Sequence, residues 1–157
     1  FDMVLVSGGI SVGDYDYVKE ALLANDAEEL FYKINQKPGK PLFFGKKDST
    51  LIFALPGNPA SSLTCFYVYV LPALKKMLGL ELVHIPKIKR KINVDFQNTT
   101  GKSLFLKGFY SDENVEVLES QSSAMLNTFA IANGFVFIPY DCSIIKKNQE
   151  VIVLPFK

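Results

Sequence analysis

Three short stretches hold the residues whose types and spacing suit chemistry on an anion. The first, Gly8-Gly9-Ile10-Ser11-Val12-Gly13-Asp14-Tyr15-Asp16, sets Gly8, Gly9, Ser11 and Gly13 ahead of two carboxylates. Glycines there let backbone N–H groups approach a phosphate closely, which makes the carboxylates a puzzle. One aspartate at a helix start has a structural explanation, as a cap typically worth ~1 kcal/mol. A second is sensible if a divalent cation bridges it to the anion. Capping suits Asp14; for Asp16, capping and metal ligation both stand.

The second stretch is Lys37-Pro38-Gly39-Lys40-Pro41. Pro at i+1 and Gly at i+2 predict a type II turn, which brings its flanking residues within roughly 7 Å. Two ammonium groups held that close favour an anion between them, and Lys33, on the strand-like run Leu30 to Ile34, would add a third. A solvated surface turn is the competing reading. The third stretch is Leu55-Pro56-Gly57-Asn58-Pro59-Ala60-Ser61-Ser62. Asn58 is a natural N-cap and Pro59 fits N1, where its missing N–H costs nothing. The amides of Ala60, Ser61 and Ser62 would then converge where an oxyanion can sit, although an ordinary strand-to-helix turn reads the same way.

The elements that must position these loops follow from periodicity. Short apolar runs (Met3 to Val6, Leu51 to Leu55) alternate with helical stretches (Tyr15 to Ala24, Pro59 to Met77), which predicts α/β structure with buried parallel strands. Tyr15, Val18 and Leu22 share a helical face, placing the first helix start near Asp14 or Asp16. The second helix is apolar almost all round and so is expected in a core or an interface; Pro72 should kink or split it. After a join at Gly79 to Lys87, strand-like segments dominate: Ile88 to Phe96, Ser103 to Tyr110, Val115 to Leu118, Phe135 to Ile138 and Val151 to Leu154. One helical stretch, Met125 to Ala132, is expected to stop at Asn133-Gly134 in a left-handed turn.

Composition narrows the function classes. The 157 residues are 48% hydrophobic with net charge +1, enough for a sizeable core and without bulk attraction for nucleic acid or anionic membrane. An anion site must therefore be local. Cys65 and Cys142 lack the spacing of a zinc site or disulfide framework, which fits a reducing cytoplasm. The longest apolar run, Cys65 to Leu74, contains Pro72 and is too short to span a bilayer. His84, the only histidine, sits in the join, so no Ser-His-Asp arrangement can be assembled. Lys87, Lys89 and Lys91 alternate onto one solvated face, as on an edge strand. The chain opens without Met inside an apolar run and reads as a fragment.

In the order GGISVGDYD, KPGKP and LPGNP, the three motifs resemble the molybdopterin molybdenumtransferases, the MoeA and gephyrin E-domain family. Gly101-Lys102-Ser103-Leu104-Phe105-Leu106-Lys107-Gly108 is similar to its GRxxFxRG segment, and Ser122 to Asn133 to its serine loop and short helix. The resemblance implies half of a three-layer α/β molybdopterin-binding domain (residues 1–80) followed by a small, barrel-like β-rich domain (81–157). It further implies insertion of molybdate into adenylylated molybdopterin, magnesium-dependent release of AMP, and a cytoplasmic homodimer. Asp16 matches the family's essential, metal-linked aspartate, while Lys33, Lys37 and Lys40 match its active-site lysines. Pro56 and Pro59 match its molybdate-side loop, with Gly57, Asn58 and Ser61 between and beyond them; Lys102 and Ser123 match an arginine and a serine of the last domain. Lysine at 102 and 107 departs from the family's arginines and lacks their planar bidentate fork. A nucleotide- or pterin-binding domain without metal insertion, or a gephyrin-like peptide-binding scaffold, are the alternatives.

Overall fold

A computed structural model describes residues 1–11, 17–122 and 126–156. The first unit is a mixed sheet in the order β1-β5-β4-β2, built from β1 (Met3–Ser7), β2 (Glu28–Tyr32), β4 (Phe43–Lys47) and β5 (Thr50–Leu55). Only β1 and β5 run parallel; β4 and β2 continue antiparallel. The expectation of parallel strands therefore holds for one pair. Along β5, Ile52 and Ala54 pack to one face with Val18 and Leu22 of α1 (Val18–Ala24), while Phe53 and Leu55 pack to the other with Cys65 and Val70. Period-two alternation thus covers both faces of the sheet.

The helical stretch after β5 is α2 (Pro59–Cys65), a π-helical segment (Phe66–Val70) and α3 (Leu71–Met77). Pro72 cannot donate a backbone hydrogen bond, and the π turn falls immediately ahead of its helix. The stretch is apolar all round because both sides are covered. Cys65 and Val70 face the sheet, while Ala60, Leu63 and Tyr67 face Phe105, Phe129, Phe135 and Phe156 of the second unit. It ends in a Schellman motif: Gly79, at φ 73°, donates to Lys76 O and Leu80 donates to Lys75 O.

The second unit is a closed five-stranded barrel of β6 (Ile88–Ile92), β8 (Ser103–Tyr110), β9 (Asn114–Val117), β10 (Gly134–Ile138) and β12 (Glu150–Pro155), closed by the β10–β8 pairing. Leu104, Leu106, Val136, Ile138, Val151 and Val153 point inward. Short β7 (Phe96–Gln97) and β11 (Ile144–Ile145) pair beside it. Because the barrel is closed, β6 is no edge strand, although Lys87, Lys89 and Lys91 are all exposed. Helix α4 (Asn127–Ile131) does not end in a left-handed turn. Ala132 is extended, and Asn133 pairs its side-chain amide with the Tyr110 backbone, leading the chain straight into β10. The units also share a strand: β3 (Gln36–Lys37) pairs parallel with Ser103 and Leu104, alongside the part of β8 that β9 does not reach.

Candidate functional site

The parallel pair β1 and β5 ends at one edge of the sheet, where open α/β sheets bind ligands. Gly8 follows β1 and donates to Leu55 O at 2.9 Å; a Cβ on Gly57 would stand only 3.5 Å from Gly8 Cα. The glycine loop and the Pro56-Gly57 turn therefore touch. Gly8 and Gly9 have φ of 90° and 70°, and a Cβ on Gly9 would strike Val18 at 2.5 Å. Tyr32 fixes the loop from outside, its hydroxyl donating to the carbonyls of Ile10 (2.6 Å) and Ser11 (3.1 Å). Pro59 is the first residue of α2, as expected; Asn58 precedes it in extended conformation, but its side chain makes no capping hydrogen bond. The amide of Ser62 is not free: it closes the first helical turn onto Asn58 O at 2.9 Å.

The lysine turn departs from expectation. The Lys37–Pro38 peptide is cis and Pro38 sits in a bend, with Gly39 at φ 85°. No Lys40-to-Lys37 backbone hydrogen bond closes it; Lys40 O accepts instead from Ile34 N–H at 3.0 Å. Lys33 lies past the end of β2 at φ 63°, its ammonium 4.9 Å from the centre of the Tyr32 ring.

These loops and the barrel enclose a cleft of about 1060 Å³. Gly9, Ser11, Pro56, Gly57, Asn58 and Ser61 line one side, Gln36 to Pro41 the second, and Phe96, Gln97, Asn98, Thr100, Lys102, Leu104 to Leu106, Gln121 and Ser122 the barrel side. Gly8, Pro59 and Lys33 are not among the lining residues. Gly13, Asp16 and Ser123 lie outside the described residues. The described lining has three ammonium groups, on Lys37, Lys40 and Lys102, and no carboxylate. Such a surface suits an anion with several oxygens.

The barrel side is anchored by residues that sequence reasoning missed. Asn98 accepts from Thr100 N–H and hydroxyl (3.1 and 2.7 Å) and donates to Lys102 O at 2.9 Å, shaping the loop that presents Lys102. Asn35 clips that loop to the lysine turn, donating to Gly101 O at 3.0 Å and accepting from Ser103 N–H at 3.1 Å. The Asn98-Thr99-Thr100-Gly101 run was a legible turn signal. Lys107 is buried. Its ammonium donates to the carbonyls of Ser120 (3.0 Å) and Ser122 (3.3 Å), and desolvation holds its pKa below the usual lysine value. Gln121 pairs with the Lys107 backbone in both directions at 2.9 Å. Lys102 thus lines the cleft, whereas Lys107 holds the loop beside it.

Residues 1–76 match the family described as probable molybdopterin binding domain, and residues 89–156 match the MoeA C-terminal region (domain IV). The chain belongs to the MoeA-type molybdopterin molybdenumtransferase family. It is 32% identical to the molybdopterin molybdenumtransferase of Haemophilus influenzae over 99% of this chain and 40% of that protein. The Nostoc sp. molybdopterin molybdenumtransferase is 34% identical over 98% of this chain and 37% of the relative. Among solved structures, the molybdopterin biosynthesis MoeA protein from Pyrococcus horikosii superposes with a TM-score of 0.79 at 29% identity, covering 99% of this chain and 37% of that one. The chain thus spans about two fifths of the length of these MoeA-type relatives. No helix among the described residues is long and apolar enough to cross a membrane.

Proposed function

We propose that this chain carries the anion-holding part of a site that inserts molybdate into adenylylated molybdopterin and releases AMP. The observation behind the reading is the cleft between sheet edge and barrel, lined by Lys37, Lys40 and Lys102 and by no described carboxylate. Lysine ammoniums neutralise phosphate or molybdate oxygens, while the glycine-bearing loops let backbone approach them; this is positioning and charge stabilisation without a covalent intermediate. Lys33, Gly13, Asp16 and Ser123 belong to the proposed site by resemblance. The MoeA-type chain is further proposed to divide at residues 80 and 81, to form a homodimer and to work in the cytoplasm.

Magnesium is a separate matter. Among the described residues no three His, Cys, Asp or Glu side chains gather to hold a metal, and the described cleft lining has no acid. The described residues do not by themselves make a magnesium site. A magnesium dependence rests on Asp16.

Anion holders without a described acid also favour a second reading for these 157 residues taken alone, namely binding without insertion. The two are separated by pairing calorimetric AMP titration of the purified chain with a cofactor-reconstitution assay. We expect weak, salt-sensitive AMP binding and no detectable molybdenum insertion. Insertion by these residues alone would overturn that division of labour.

A further inference from the structure

Beneath the lysine turn, at the wall of the same cleft, lies a buried polar cluster centred on Gln36. Gln36, 3% exposed, donates through its amide nitrogen to the carbonyls of Pro38 (2.9 Å) and Gly39 (3.4 Å). Its amide oxygen accepts from the hydroxyl of Tyr69 in the π-helical segment. The Cys65 thiol, also buried, lies 3.7 Å from Gly39 O and 3.8 Å from the Gln36 amide nitrogen. A Cβ on Gly39 would stand 2.4 Å from that sulfur, so the turn is seated directly on the helix. Burial pushes both Cys65 and Tyr69 up to about 12, which keeps thiol and phenol protonated, and therefore donors, across neutral pH.

The arrangement has one polarity. The carbonyls of Pro38 and Gly39 can only accept, so the amide NH₂ of Gln36 turns toward them, which leaves its oxygen to accept from the Tyr69 hydroxyl. Backbone carbonyls in an ordinary exposed lysine turn are satisfied by water; here a buried side chain takes that place. A buried amide costs stability unless its groups are paired, and pairing Gln36 with Pro38 and Gly39 fixes the backbone between the two cleft lysines.

We propose that Gln36 is a positioning residue for the anion-holding turn, oriented by Tyr69 and acting through Lys37 and Lys40. The inference rests on the reading of those lysines as anion holders, and its test separates the two. The probe is AMP, titrated calorimetrically into the whole chain, with thermal melts confirming that each variant folds. Tyr69→Phe removes only a hydroxyl, and Gln36→Met keeps length without hydrogen bonding. Each is expected to weaken AMP binding about fivefold, the scale of one lost buried hydrogen bond. In a Lys37→Gln, Lys40→Gln background, neither should weaken it further, because Gln36 acts only through those side chains. Equal losses in both backgrounds, or wild-type affinity in folded Tyr69→Phe, would overturn the inference while leaving the cleft reading intact. If Lys37→Gln, Lys40→Gln alone binds AMP like wild type, the cleft reading fails and this inference falls with it. Should Gln36→Met not fold, Tyr69→Phe decides.

Discussion

Gly39 shows how narrowly the lysine turn is defined. Its φ of 85° is strained for any side chain, and an added Cβ would meet Cys65 Sγ at 2.4 Å. Gly39→Ala should therefore lower stability by about 2 kcal/mol, combining backbone strain with overpacking. Adding Cys65→Ala should return only the overpacking share, which urea unfolding of the single and double variants would measure. Asp16 calls for the opposite result. Tyr17, not Asp16, holds the cap position of α1; in the full-length protein Asp16→Asn keeps the side chain's size but removes its charge, and we expect a near-wild-type melting temperature with most molybdate insertion lost. Insertion retained at ordinary magnesium concentration would mean that the Asp16 charge has no part in it. At this scale the sequence was informative where a residue type has one steric use, as with Pro59 at the first position of α2, and less so for Asn58, which stands before the helix without a side-chain capping bond. It was silent on Gln36, because a lone glutamine in a two-residue strand shows no periodicity that reports burial.

Elements whose two faces meet different partners were the hardest to read. The stretch from Pro59 to Met77 is apolar all round, and its sequence alone could not tell a core from a subunit interface; it lies between the sheet and the barrel. Strand β4 went unrecognised because Lys47, Asp48, Ser49 and Thr50 lack the Asn-Gly or Asp-Gly signature of a tight hairpin. The barrel strands were legible because inward Leu104, Leu106, Val136 and Ile138 alternate with outward residues. Asp95 ties two barrel connections together. It accepts from the Lys147 amide at 2.8 Å and the Lys146 ammonium at 3.2 Å, and these bonds, the amide foremost, hold its carboxyl below the usual 3.8. A carboxyl with a depressed folded-state pKa stabilises above its unfolded value, and that contribution is lost as pH falls through the folded value. Stability should thus decline below about pH 3.8, and Asp95→Asn should make the decline shallower in chemical unfolding followed against pH. An identical acid limb in the variant would remove Asp95 from the account.

For the whole molecule, the cleft exists because two units of different architecture share a helix and a strand. Helix α2 is packed by both, and β3 carries the lysine turn onto β8, where Asn35 meets the loop that bears Lys102. The motifs pointed to loops that line the cleft, but not to this shared mounting, since contacts between residues 35 and 101 leave no local pattern in the chain. The central claim is that Lys37, Lys40 and Lys102 form one anion site in a chain whose net charge is only +1. Calorimetric titration of AMP into the wild-type chain and into Lys37→Gln, Lys40→Gln and Lys102→Gln, each at low and high salt, tests it most directly. A shared site predicts that each substitution weakens binding by about tenfold, the scale of a charge-assisted hydrogen bond. It also predicts that each substitution reduces the salt dependence, because one screened contact is gone. Unchanged AMP affinity and salt dependence in all three folded variants would contradict it.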